Sequence, residues 1–122
     1  QQEVVFLAIS HENACEYCMS AHSMLADQMS GVPADILEAI RNDQPVPDAE
    51  LEALCQFSKI VVRKRGFLSQ NEIDDFINAG FTERHVLEVV LAVAVKTLSN
   101  YSNHLFQTEV DEMFSDYQWT RT

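Results

Sequence analysis

Each of the three glycines in this chain follows a segment whose apolar residues have helical spacing: Gly31, Gly66 and Gly80. Glycine commonly ends an α-helix, because it adopts the left-handed conformation at the C-terminal cap without strain. Three glycines and three prolines are also too few for the many tight turns of a β-sheet protein. The glycines therefore indicate a chain built from helices.

Residues that begin helices precede these segments. Asn13 resembles an N-cap with an acidic residue three positions later, Asp48 is a second N-cap, and Ser69-Gln-Asn-Glu72 is a capping box. Pro33 suits the first turn of another helix, and Thr82 opens the last long one. Because no strand pattern competes, we predict one all-α domain of about six helices.

The last long helix is apolar on nearly every side. Its apolar residues include Leu87, Val89, Val90, Leu91, Val93 and Val95. A helix with this pattern is buried at the centre of a protein or at a subunit interface. We therefore predict that the chain forms a homo-oligomer through this helix.

The charge of the chain excludes one class of partner. It has 8 basic and 19 acidic residues, which give a net charge of −11 at pH 7. So acidic a surface repels phosphate backbones, and no basic stripe with interleaved aromatic residues is present, which excludes nucleic acid. No uncharged apolar run reaches the roughly 18 residues that suggest a transmembrane helix, so we expect no association with a membrane.

The beginning of the chain bears on its location. No basic segment followed by a cleavage site is present, and three cysteines without a secretion signal fit a reducing compartment, so we predict a cytoplasmic protein. The chain starts at Gln1 and enters the apolar run Val4 to Leu7 without a cap. We therefore expect that a segment upstream of the single domain, residues 1–122, is missing.

The stretch from His11 to His22 holds the most chemistry. On a helix that starts at Asn13, Cys15, Cys18 and His22 occupy positions i, i+3 and i+7 of one face. The Cα atoms of an i, i+3 pair lie about 5 Å apart, within the range of a disulfide. His22 is one turn beyond Cys18, within reach of its proton. Cys15 lies in the first turn, where free amide groups and the helix dipole favour a thiolate.

Several kinds of site use a C-x-x-C pair. A c-type haem needs a histidine directly after the second cysteine, where this chain has Met19, and a thioredoxin-like motif needs a preceding strand. A zinc site remains open, with Cys15, Cys18 and His22 as ligands and Glu3 or His104 as the fourth. Alternatives to an enzyme are therefore a zinc-binding or structural helical module, or a redox sensor that switches through the same disulfide.

The spacing of four residues resembles that of a known family. Glu3, eleven residues, and then C-x-x-C-x-x-x-H from Cys15 to His22 resemble the alkylhydroperoxidase D-like, or carboxymuconolactone decarboxylase, superfamily. The segment Ala92 to His104 also looks like the last long helix of its members. The resemblance implies an all-helical domain that assembles as a trimer or hexamer and needs no bound metal or organic cofactor.

The resemblance also implies a role for each matching residue. Cys18 would attack a small hydroperoxide as a thiolate, and Cys15 would resolve the sulfenic acid as a disulfide. His22 and Glu3 would move protons, and a thiol or dithiol donor would reduce the disulfide. Tyr17 stands where the best-known peroxidase members carry a second histidine. The decarboxylase branch works without the cysteine pair, so the pair argues against lactone chemistry.

Glu3 can take part only if the chain folds back. On one unbroken helix it would lie about 28 Å from His22, so we predict a break between residues 10 and 13. Near the other end, Asn100 and His104 form a polar cluster that is expected to line the cysteine pocket or a subunit contact. Cys55 lies on an apolar helical face and is predicted to be a core residue.

Overall fold

The structure, a computed structural model, describes residues 1–121. It contains six α-helices: α1 Gln2–Glu12, α2 Glu16–Gln28, α3 Ala34–Arg41, α4 Ala49–Arg63, α5 Gln70–Asn78 and α6 Glu83–Phe106. A 3-10 helix, Glu112–Tyr117, follows them, and no strand occurs in the described residues. The predicted all-α fold of about six helices is confirmed.

Most helix ends lie where capping residues predict them. The Asp48 side chain accepts a hydrogen bond from the amide of Leu51, and Ser69 and Glu72 form both hydrogen bonds of a capping box. Gly31, Gly66 and Gly80 all adopt a positive φ after their helices. These ends are set by contacts between residues close in sequence, so the sequence is sufficient to place them.

The junction between α1 and α2 differs from the prediction. Asn13 is the C-cap of α1, and Cys15 is the N-cap of α2. Between them Ala14 takes a left-handed conformation, with φ of 54°. The chain thus reverses slightly later than residues 10 to 13, because the apolar residues of α1 continue its helix through Glu12.

Helix α1 lies at the centre of the fold. Val4, Leu7, Ala8 and Ile9 are almost completely buried. Their helix packs against α2, α3, α4 and α6. The amphipathic helices α3, α4 and α5 bury one apolar face each. This central position fixes α1 beside both α2 and α6, which carry the rest of the candidate site.

Helix α6 has the opposite distribution of polarity. The residues it buries are Val89, Lys96 and Asn100. Its exposed large apolar residues are Leu87, Val90, Leu91, Val95, Leu98, Tyr101, Leu105 and Phe106. We call these eight the α6 face. Helix α6 therefore turns polar side chains toward α1 and α2 and leaves apolar ones outside.

The C-terminal segment covers α2 and α3. The indole nitrogen of Trp119 donates to the carbonyl oxygen of Arg41 at 2.9 Å, and the Arg41 guanidinium donates to the carbonyl of Tyr117 at 2.8 Å. The Tyr117 hydroxyl donates to Asp27. Within residues 1–121, no helix is both long enough and apolar enough to cross a membrane.

Candidate active site

The reversal between α1 and α2 brings Glu3 to His22. The Glu3 carboxylate lies 2.8 Å from Nδ1 of His22, and both side chains are largely buried. Because the two helices run back along each other, two residues that are nineteen positions apart in the sequence come into direct contact. The structure therefore contains the contact that the predicted break was needed to make.

Cys15 and Cys18 are free thiols at the start of α2. The backbone N–H of Cys18 donates to Sγ of Cys15 at 3.4 Å, so the Cys15 side chain caps the helix. Cys15 is only 1% exposed and Cys18 only 3% exposed. Sequence reasoning placed Cys15 within the first helical turn, but it precedes that turn and is buried against it.

The surroundings of Cys18 stabilise a thiolate. A hydrogen bond from the Cys15 thiol is the largest influence lowering the pKa of Cys18, and the positive charge of Lys96 also lowers it. Side-chain amides of Asn103 and Asn100 act in the same direction, and Nδ2 of Asn103 donates to Cys18 Sγ at 3.3 Å. Burial opposes the charged form, but these partners outweigh it.

Cys15 behaves in the opposite way. Its pKa is raised, chiefly because its proton forms the hydrogen bond to Cys18 and also because it is buried. The prediction that the helix end makes Cys15 the thiolate is therefore wrong. The two sulfurs share one proton, which stays on Cys15. Cys18, which Lys96 and Asn103 stabilise, carries the negative charge.

His22 does not contact Cys18. Its Nδ1 faces Glu3, and its Nε2 lies 2.7 Å from Nζ of Lys96. Both ring nitrogens are thus occupied, and the expected direct proton transfer between His22 and Cys18 has no hydrogen bond to carry it. The i+4 spacing places the two residues on one side of α2, but the imidazole turns toward α1 and α6.

Lys96 is the site residue that sequence reasoning missed. It is 5% exposed, although lysine is seldom buried without a partner. A signal was present: a single lysine interrupts the apolar run of α6, four positions before Asn100 and seven before Asn103. Positions i, i+4 and i+7 share one face of a helix, and on α6 that is the face turned toward α2.

Asn100 connects α1 to the thiols. It is completely buried, accepts a hydrogen bond from Nδ2 of Asn13 at 3.0 Å, and donates to Oγ of Ser10 at 3.3 Å. It also helps to lower the pKa of Cys18. Asn100 therefore holds the end of α1 and the thiol pair together, which is a more central position than the predicted pocket lining.

An open, polar cleft of about 490 Å³ lies beside Cys15. Its lining comprises Ala14, Cys15, Glu16, Tyr17, Asn103, His104, Gln107, Thr108 and Arg121. Tyr17 donates a hydrogen bond to Asp111 at 2.7 Å, which raises the pKa of its phenol. Tyr17 and His104 therefore line the cleft, whereas Asn100 lies behind it.

Cys55 lies apart from this site. It belongs to the apolar core, and burial raises the pKa of its thiol to about 11. The prediction of a core cysteine is confirmed. Across residues 1–121, no three His, Cys, Asp or Glu side chains come together as metal ligands. The proposed zinc ligand His22 would have to give up its contact with either Glu3 or Lys96 to bind a metal.

Comparison with known proteins agrees with this geometry. Residues 1–59 match the model of the carboxymuconolactone decarboxylase family, and this segment includes Glu3, Cys15, Cys18 and His22. This match, over just under half of the chain, supports a likeness to the carboxymuconolactone decarboxylase superfamily. The resemblance inferred from the four-residue motif is thereby confirmed. Lys96, Asn100 and Asn103 lie outside the matched segment.

A solved structure extends the likeness to α6. A crystal structure from Silicibacter sp. TM1040, described as an uncharacterized peroxidase-related protein, superposes with a TM-score of 0.79 at 19% sequence identity. The match covers 93% of this chain and 60% of that one, so the chain spans less than two thirds of its neighbour's length. Among curated proteins no sequence match is found.

Proposed function

We infer that this protein is a thiol-dependent oxidoreductase that reduces small hydroperoxides. The observation that carries this inference is the pair of sulfurs, in which Cys18 is held as a thiolate by Cys15, Lys96 and Asn103. A thiolate is the nucleophile that attacks peroxide oxygen, and an adjacent thiol is what resolves the product. The peroxidase-related neighbour supports the same reaction class.

The reaction balances with a hydroperoxide and a dithiol donor. The Cys18 thiolate attacks the distal peroxide oxygen, the O–O bond breaks, and the alkoxide takes a proton to leave as an alcohol. The Cys15 thiol then attacks the Cys18 sulfenic acid, which forms the disulfide and releases water. A dithiol donor reduces the disulfide by exchange and becomes a disulfide itself. Because a reduced pair is required, the cytoplasm is the proposed compartment.

The donor is expected to approach through the polar cleft. Cys15 lines the cleft, whereas Cys18 does not, so an external thiolate reaches Cys15 first. The acidic surface argues against a nucleic-acid partner, as the composition already indicated. The small substrate and the thiol or dithiol donor are the only partners that the chemistry itself requires.

The first test is oxidation of the pair. One equivalent of a small alkyl hydroperoxide added to the reduced protein is expected to form an intramolecular disulfide between Cys15 and Cys18, visible by peptide mass mapping. Cys55 is expected to stay reduced, because its thiol is buried and its pKa is raised to about 11. A disulfide that includes Cys55, or two thiols that remain free, would contradict the mechanism.

We also propose that the protein assembles as a homo-oligomer, a trimer or hexamer, through the α6 face. Eight large apolar side chains exposed on one helix form a patch that soluble monomers rarely leave uncovered. Light scattering is expected to give a multiple of the 13.9 kDa chain mass. Leu98→Asp is expected to lower that mass, because Leu98 is 73% exposed in the single chain.

A matched variant tests whether the α6 face is the specific surface. Phe67 is also an exposed apolar residue, but it follows α4 and lies outside the α6 face. Phe67→Asp is expected to leave the mass of the assembly unchanged. A wild-type mass equal to one chain, or an equal loss of mass in both variants, would refute the interface.

A further inference from the structure

We propose that Lys96 is the positive charge that stabilises the Cys18 thiolate and supplies the proton to the departing alkoxide, and that Glu3 and His22 act only through Lys96. This inference rests on the proposed hydroperoxide reduction and adds a residue to it. The relay then runs from Glu3 through His22 and Lys96 to the sulfur, rather than from His22 directly.

The position of Lys96 favours this role. Its ammonium group is buried between α1, α2 and α6, with Nζ 2.7 Å from Nε2 of His22 and 5.6 Å from the centre of the Phe6 ring. Within residues 1–121, His22 is the only hydrogen-bond acceptor of Nζ. An ammonium has three N–H donors, so two remain for an anion or substrate oxygen.

The hydrogen bonds also determine which ring nitrogen of His22 carries the proton. A lysine ammonium only donates, so Nε2 of His22 must accept, and Nδ1 then carries the ring proton and donates to Glu3. With both ring nitrogens engaged, His22 has no free nitrogen to receive the proton of a thiol. Glu3 and His22 therefore fix the position of Lys96.

Lys96 is the cation on the face of α6 that meets the thiol pair. It lies seven positions before Asn103, whose Nδ2 donates to Cys18 Sγ at 3.3 Å, and its own Nζ lies 2.7 Å from Nε2 of His22 on α2. The groups that influence Cys18 are Cys15 from its own helix, and Lys96, Asn100 and Asn103 from α6. Tyr17 also lies near Cys18, but it is a neutral phenol bonded to Asp111. Among these neighbours only Lys96 is positively charged, and its charge acts on Cys15 as well.

The proton balance closes through this residue. When the O–O bond breaks, the alkoxide takes a proton from the Lys96 ammonium and leaves as an alcohol. The donor thiol that attacks Cys15 expels Cys18 as a thiolate, and a proton released by the donor returns neutral Lys96 to its ammonium form. The thiolate and the ammonium are thereby restored together, with no net change in the protein.

The test measures the thiolate without using peroxide. The rate of Cys18 alkylation by iodoacetamide is followed against pH in the reduced full chain, with peptide mapping to separate the three cysteines. Lys96→Met is expected to move the Cys18 profile at least about one unit to higher pH, so that labelling slows about tenfold at pH values below the wild-type midpoint. His22→Gln retains an acceptor for Lys96 and is expected to shift the profile much less.

Two controls separate this role from a structural one. Lys59 on α4 is as deeply buried and pairs with Asp43, and it is not among the groups that act on Cys18, so Lys59→Met is expected to leave the Cys18 profile in place. Faster labelling of Cys55 would reveal a loosened fold. Lys96→Arg is expected to restore the low-pH profile but not peroxide turnover, because a guanidinium keeps its proton.

The outcomes distinguish this inference from the proposed function. A profile that shifts in His22→Gln but stays in Lys96→Met would overturn the role of Lys96, and peroxide consumption by the wild type would leave the proposed function standing. A Lys96-dependent profile in a protein that consumes no peroxide would contradict the proposed function, while the assignment of Lys96 as the partner of the thiolate would hold.

Discussion

Cys18→Ser is expected to lower hydroperoxide consumption, measured with excess dithiol, to the rate of the mixture without protein. Serine has no thiolate, and in the wild type the pKa of the remaining Cys15 is raised, chiefly by its hydrogen bond to Cys18 and also by burial. Lys96, Asn100 and Asn103 also converge on Cys18, so moving the reaction to Cys15 would lose most of the groups that stabilise the charge.

Cys15→Ser is expected to stop at a different stage. The first peroxide should still oxidise Cys18, so consumption amounts to one equivalent per chain and then ceases, because no thiol can resolve the sulfenic acid. Cys55→Ser is the matched control, since it removes a buried cysteine outside the site. It is expected to turn over like the wild type. Multiple turnovers by Cys18→Ser would refute the mechanism.

Asn100→Asp is expected to damage both the site and the fold. The new carboxylate keeps the shape of the side chain but places a negative charge beside Cys18 and competes with it for Lys96. Both effects raise the pKa of the thiol, so the alkylation profile of Cys18 should move at least about one unit to higher pH. Loss of the N–H donated to Ser10 should also lower the free energy of unfolding by about 1–3 kcal/mol.

The control for this variant is an asparagine without such surroundings. Asn71 is exposed in the first turn of α5, where a negative charge is tolerated. Asn71→Asp is expected to leave both the alkylation profile and urea unfolding close to those of the wild type. An Asn100→Asp protein whose Cys18 alkylation profile coincides with that of the wild type would show that Asn100 does not act on Cys18.

The parts of the fold that were predictable from the sequence depend on neighbours along the chain. Asp48, Ser69 and Gly80 mark helix ends because caps are made within one turn. Glu3 and His22 were paired by the resemblance, and their contact required only a chain reversal somewhere between them. Errors began where a residue served either of two adjoining helices, as Asn13 ends α1 rather than beginning α2.

The remaining features depend on which face each helix turns inward. The apolar composition of α6 suggested burial, but in the single chain its buried face carries Lys96 and Asn100. Spacing alone placed His22 near Cys18 and could not show that the imidazole turns toward Lys96. Such orientations follow from the packing of α6 against α1 and α2. This packing brings Lys96 to His22, although the two residues are 74 positions apart in the sequence.

The difference between the two thiols also depends on how the helices pack against each other. Local reasoning at the start of α2 favoured a thiolate at Cys15, because helix ends stabilise negative charge. Residues of α6 reverse that assignment: Asn103 and Lys96 both stabilise negative charge on Cys18. The charge of a thiol at a helix end is therefore decided here by a second helix.

Trapping of the sulfenic acid tests the central claim, that Cys18 is the attacking thiolate, most directly. Each serine variant is treated with one equivalent of hydroperoxide in the presence of a dimedone-type probe, and the labelled peptide is identified by mass spectrometry. The account predicts one label per chain on Cys18 in the Cys15→Ser protein and no label on Cys15 in the Cys18→Ser protein. Label on Cys15 in the Cys18→Ser protein, with none on Cys18 in the other, would contradict it.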